Sequence, residues 1–160
     1  MGEKEKFNVQ KLSYEGIFKY KEIINLINDF GSDKSYEFVE ISHTESVKKT
    51  GKNVFLELGL KKRLSDYAKL NIKIKIEFIN LSEKIVDKKK YQVGKVIFEF
   101  EGLMETDYEK KWESKPSFWL IRHLFEKYVF DSHLSILKKE AISDIDHLVK
   151  NLKAYFNMLT

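Results

Sequence analysis

The chain has 160 residues and a formal net charge of +4, from 29 Lys+Arg against 25 Asp+Glu. Hydrophobic residues make up 42% and charged residues 34%, which suits one globular domain with a wet surface and excludes a disordered chain. There is no cysteine, so disulfides and thiolate zinc sites are excluded, and no apolar run approaches the ~20 residues that span a bilayer. The N-terminus MGEKEKF lacks the apolar run of a secretory signal, and Lys6 stands where a myristoylation signal needs Ser or Thr. A single domain over residues 1–160, soluble and cytoplasmic, is expected.

In chain order, the first five residues read as a frayed tail and 7–14 as a short strand, with Phe7 and Val9 alternating. A helix is predicted over 16–30: Ile17, Tyr20, Ile24 and Ile27 recur at helical spacing, and Gly31 stands where a C-terminal cap belongs. The middle of the chain reads as β. Residues 36–48 alternate through Val39 and Ile41, and 49–53 form a hairpin turn in which Gly51 is free to take positive φ. The next strand puts Val54, Leu56, Leu58 and Leu60 on one face, and 64–66 turn the chain. The following strand sets Ala68, Leu70, Ile72, Ile74, Ile76 and Phe78 against Lys69, Asn71, Lys73, Lys75 and Glu77, the strongest alternation in the chain. A short strand is predicted near 83–87, a charged turn at 87–90, and a last strand over 91–106 with Val96, Phe98, Phe100 and Met104 on one face. Strands with one wet face indicate an antiparallel sheet.

A long helix follows, with Pro116 suited to its first position. From Leu134 its apolar residues form one stripe through Leu137, Ala141, Ile145, Leu148, Leu152, Phe156 and Leu159. Unbroken from 116 to 158 it would be about 65 Å long, against about 30 Å for a small domain, so it breaks near 131–133 or projects beyond the sheet. The fold class expected is α+β: an antiparallel sheet of five or six strands with both helices on one face.

This order of elements resembles the helix-grip arrangement of START and Bet v 1-like proteins, in which a curved sheet wraps a final helix over an apolar cavity. It departs from them in having one helix after the first strand where they have two. The stretches YEGIF (14–18) and TDYEKKW (106–112) and the helix start from Pro116 to Tyr128 resemble a set of small uncharacterised archaeal proteins. That likeness implies an archaeal cytoplasm and supplies no activity.

Four constellations remain. Tyr108, Trp112, Phe118, Trp119, Phe125, Tyr128 and Phe130 crowd one junction and cannot share one helix face; they read as core, a pocket mouth or a docking patch, with Trp112, Trp119, Arg122 and Phe130 as partner anchors. Lys61, Lys69, Lys73 and Lys75 form a basic sheet face that could meet nucleic acid, with Phe55 and Tyr67 as stacking candidates. Glu57 can lie opposite Lys73 and neutralise part of it, so nucleic acid is not the expected partner. Glu140, Asp144 and His147 share a helix face with ligand-like spacing, but they fit a charged outer face as well, and no metal or cofactor is expected. No nucleophile elbow or phosphate loop is present, Glu99 and Glu101 read as exposed strand residues, and His43 is the one candidate for a general base within a cavity.

The chain therefore reads as a non-enzymatic binding protein. The preferred form encloses a lipid-like or small hydrophobic ligand between sheet and C-terminal helix, lined by Val54, Leu56, Ile72, Ile74, Phe98, Phe100, Leu124 and Tyr128. The alternatives are a protein-interaction or self-assembly module using the aromatic helix start and the projecting helix, and an RNA- or ribosome-associated protein using the lysine face.

Overall fold

The computed structural model describes residues 3–64, 68–106 and 131–159. The elements run β1 (Glu3–Phe18), α1 (Tyr20–Asp33), β2 (Glu37–Lys48), β3 (Gly51–Arg63), β4 (Ala68–Val86), β5 (Lys89–Thr106) and α2 (Asp131–Leu159). The five strands form one antiparallel sheet in the order β1-β5-β4-β3-β2. The fold is α+β, as the alternation and the C-terminal stripe predict. Among the described residues no helix is long and apolar enough to cross a membrane.

The three central strands carry the floor of the core. Val54, Leu56, Leu58 and Leu60 of β3, Ala68 to Phe78 at every second residue of β4, and Val96, Phe98, Phe100 and Met104 of β5 are all buried. Their registers place them directly opposite one another: Leu56 faces Ile76, and Ile76 faces Phe98. Ile23, Ile27 and Phe30 of α1 and Ala141, Ile145, Leu148, Leu152 and Phe156 of α2 bury against that floor, so both helices share one face of the sheet. Burying one such side chain is worth about 1.5–3 kcal/mol. Phe156 also stacks on Tyr14 of β1, with ring centroids 4.2 Å apart.

Several boundaries differ from the sequence reading. The chain start is no tail among the described residues: β1 begins at Glu3 and pairs with β5 along its whole length, so backbone pairing rather than apolar content holds it. α1 starts at Tyr20, not residue 16, because Gly16, Ile17 and Phe18 continue the ladder with β5. Gly31 lies inside α1 and is buried. A Cβ there would stand 2.8 Å from Leu60 Cδ2, so the glycine lets the helix approach β3. The cap is four residues later: Ser35, at φ +66°, is the left-handed residue, with Ser35 N–H donating to Ser32 O and Tyr36 N–H to Gly31 O.

The sheet has five strands because the segment near 83–87 continues β4. An irregularity between Ile79 and Ser82, with Asn80 at φ +54°, breaks the alternation without ending the pairing. Gly51 takes φ +144°, and a Cβ there would meet the Asn80 and Leu81 backbone at 2.9 Å. The Asp87–Lys88 turn, both residues at positive φ, joins β4 to β5. The turn at 65–66, the helix start at Pro116 and the whole aromatic junction from Tyr108 to Phe130 lie outside the described residues.

Leu148 of α2 is fully buried in the core. Leu148→Ala should lower the unfolding free energy by about 2–5 kcal/mol in urea titration, whereas the same change at exposed Met158 should move it by less than about 0.5 kcal/mol.

Candidate functional site

β2 sits at the edge of the sheet, and its phase changes midway. Phe38 faces Leu60 and Glu40 faces Leu58, but Ser42 faces Glu57, so Ile41 is an extra residue. The bulge turns His43 and Glu45 to the helix side, opposite Leu56 and Val54, and leaves Val39 and Ile41 on the outer side. Phe38, not Val39 or Ile41, is the β2 side chain packed against the core.

Between this edge and α1 lies a cleft of two lobes. The smaller, about 310 Å³, is bounded by Tyr20, Lys21, Ile24, Asn25, Phe38, Glu40 and His43 over Leu56 and Leu58. The larger, about 520 Å³, has Val54 and Leu81 as apolar wall and a polar rim that includes Lys19, Glu45, Lys52 and Gln92. Tyr20, Lys21 and His43 border both lobes. The Tyr20 ring rests on Phe78, 4.9 Å between centroids, and its backbone N–H donates to Gln92 Oε1 at 2.7 Å.

His43 lies between two carboxylates, Nδ1 at 3.3 Å from Glu40 and Nε2 at 2.9 Å from Glu45. Lys52 holds the other Glu45 oxygen at 2.8 Å, and these two partners, Lys52 first, keep the Glu45 carboxyl below its ordinary value. Burial, reinforced by Glu40 and Glu45, pushes the Tyr20 phenol above its ordinary value, so it stays a donor. Both ring nitrogens of His43 therefore lie against carboxylates.

The predicted site residues divide between three places. Val54 and Leu56 reach the cleft wall, while Ile72, Ile74, Phe98 and Phe100 lie fully buried in the core. Leu124, Tyr128, Trp112, Trp119, Arg122 and Phe130 lie outside the described residues. On the outer face, Lys61 faces Glu37, Lys69 faces Glu105, Lys73 faces Glu101, and Lys75 faces both Glu57 and Glu99. Lys73 Nζ bonds Glu57 at 2.7 Å, which holds its ammonium above the usual lysine range. Glu101, read as exposed, is buried and paired with Lys6 at 3.2 Å, because β1 covers that side of β5.

The Glu140, Asp144 and His147 trio is not one outer face. Asp144 is buried and accepts the Tyr36 hydroxyl at 2.8 Å, while His147 is edge-on to Phe30. A groove of about 800 Å³ between the helices is bordered by the acidic Glu22, Asp29 and Asp33 together with Phe30, Tyr155 and Met158. The sequence reading missed Tyr20 and Glu40, since nothing in β2 announces the bulge that brings them together with His43.

No family model matches the chain, and no match is found among curated proteins.

Burial first, then the Asp144 bond, pushes the Tyr36 phenol far above its ordinary value of 10.0. Above pH 10.0 the unfolded chain loses that proton and the folded chain keeps it. The resulting stability is complete below that pH and declines as pH rises beyond it. Tyr20 and Tyr155 are shifted the same way and add to the decline. Tyr36→Phe should cost about 1–3 kcal/mol at neutral pH, since Asp144 loses its donor. It should also make the alkaline loss shallower, by up to about 1.4 kcal/mol per pH unit in urea titrations on either side of pH 10.0.

Proposed function

We propose that this is a non-enzymatic binding protein of helix-grip-like architecture that holds a small ligand with an apolar body in the cleft between α1 and the β2–β3 edge. The observation that carries the reading is the open, two-lobed cleft whose floor is the edge of the core itself. Val54, Leu56 and Leu58 form that floor, and polar groups converge on it from α1 and β2. Ligand sites are concave, mostly apolar and carry a few placed polar groups, with volumes of about 300–1,000 Å³. Each lobe alone meets that description.

A further feature supports binding over catalysis. The contacts of both His43 nitrogens are carboxylates, Glu40 and Glu45, rather than the Tyr20 or Ser82 hydroxyls that border the same cleft. The expected cavity lay under the C-terminal helix. The reading moves the ligand to the α1 side, because α2 seats Ala141, Ile145, Leu148, Leu152 and Phe156 into the floor there.

An uncharged fluorescent probe, 1-aminoanthracene, tests this. The wild-type chain should bind it with enhanced emission. Ile24→Trp, which fills the smaller lobe from α1, should weaken binding about tenfold, or about 1.4 kcal/mol, with the thermal midpoint unchanged. A wild-type chain that leaves the probe dark would refute the cleft as a ligand site, as would a variant that binds it equally well.

A further inference from the structure

The ionic groups around the cleft pair among themselves, with two exceptions. Lys52 meets Glu45 at 2.8 Å, Lys90 meets Glu83 at 3.0 Å, and Lys19 meets Glu22 at 3.6 Å. Among the described residues Glu40 meets His43 Nδ1, at 3.3 Å, while the same ring places Nε2 closer to Glu45. The contact uses Glu40 Oε1 and leaves Oε2 with acceptor capacity for a further donor. The second exception is Lys21: no carboxylate of the described residues lies within 4.0 Å of its ammonium. Glu40 and Lys21 border the same smaller lobe, from β2 and from α1.

A ligand with a lone ammonium would meet Glu40 but be repelled by Lys21, and a lone carboxylate would have the reverse difficulty. A ligand carrying both charges close together meets neither repulsion. The rest of the lobe is apolar, through Ile24, Phe38, Leu56 and Leu58, with the Tyr20 hydroxyl and Asn25 amide at hand for further hydrogen bonds. Its volume of about 310 Å³ is at the small end for a ligand site. We infer that the smaller lobe takes a free α-amino acid with a large apolar side chain, its ammonium on Glu40, its carboxylate toward Lys21 and its side chain on the apolar floor. The inference rests on the cleft being the ligand site and names the class of compound that enters it.

Isothermal titration calorimetry with L-phenylalanine and two capped forms tests it. N-acetylphenylalanine lacks the ammonium, and phenylalaninamide lacks the carboxylate. Phenylalanine should bind, and each cap should weaken binding about tenfold, the loss of one charge-assisted contact. Glu40→Gln should erase the penalty of acetylation, and Lys21→Met should erase the penalty of amidation. Both residues are exposed, so each variant should keep the wild-type unfolding midpoint. If phenylalanine fails to bind, or both capped forms bind as tightly as phenylalanine, the amino-acid assignment is overturned. In either case 1-aminoanthracene still sensitive to Ile24→Trp would leave the cleft standing as a site for other apolar ligands. Loss of probe binding as well would take the cleft reading down with it.

Discussion

Everything in this molecule hangs on one packed core: the even-numbered side chains of β3, β4 and β5 under the buried faces of α1 and α2. The strands supply a floor in which inward residues oppose one another across two ladders, Leu58 to Ile74 to Phe100 and Leu56 to Ile76 to Phe98. Helix α2 supplies Ala141, Ile145, Leu148 and Leu152 one turn apart, each with no exposed surface. A one-residue slip of any central strand would turn its whole apolar set to water, so burial fixes register at the same time as it supplies stability. The outer face then follows without choice. Between the buried residues β4 carries Lys69, Lys73 and Lys75 and β5 carries Glu99, Glu101 and Glu105, and the register that seals the core also sets Lys73 against Glu101 and Lys75 against Glu99.

The cleft exists because the sheet departs from that regularity at its edge. Without the extra residue at Ile41, His43 and Glu45 would point outward with Val39. With it, three polar side chains, Glu40, His43 and Glu45, stand where a core-facing strand would carry apolar ones, and the cleft lies between them and α1. Bulges at sheet edges re-aim side chains in this way and also spoil the edge as a template for further pairing.

How much of this was legible in the sequence varies with the kind of force involved. The floor was: Ala68 to Phe78 alternate without interruption, and half-buried strands leave that signature whatever their surroundings. So was the α2 stripe, whose 3- and 4-residue steps are buried positions from Ala141 to Phe156, with Leu137 and Leu159 partly buried at its ends. The ends of α1 were not, because they are set from elsewhere in the fold. Lys19 gives no side-chain cap; the first turn is met instead by Gln92 of β5 and by Tyr155 of α2, whose hydroxyl accepts Lys19 N–H at 3.0 Å. Gly31 invited a cap at its own position, yet its missing side chain serves a close approach to Leu60. The site was half legible. His43 stood out as a histidine in a β segment, but its neighbours Tyr20 and Glu40 are unremarkable until a single bulge brings them to the same opening.

The two helices are joined by hydrogen bonds as well as by packing. At one end the Tyr155 hydroxyl meets Lys19 N–H and, at 2.8 Å, Glu22; at the other the Tyr36 hydroxyl meets Asp144. These bonds clamp α1 to α2 before and after the helix, and α2 is in turn seated on the floor. Toward β2, Ile24 of α1 and Phe38 border the cleft that runs alongside. α1 is thus held from the α2 side by hydrogen bonds before and after the helix, and the opening where Tyr20, Glu40 and His43 meet lies on its other side.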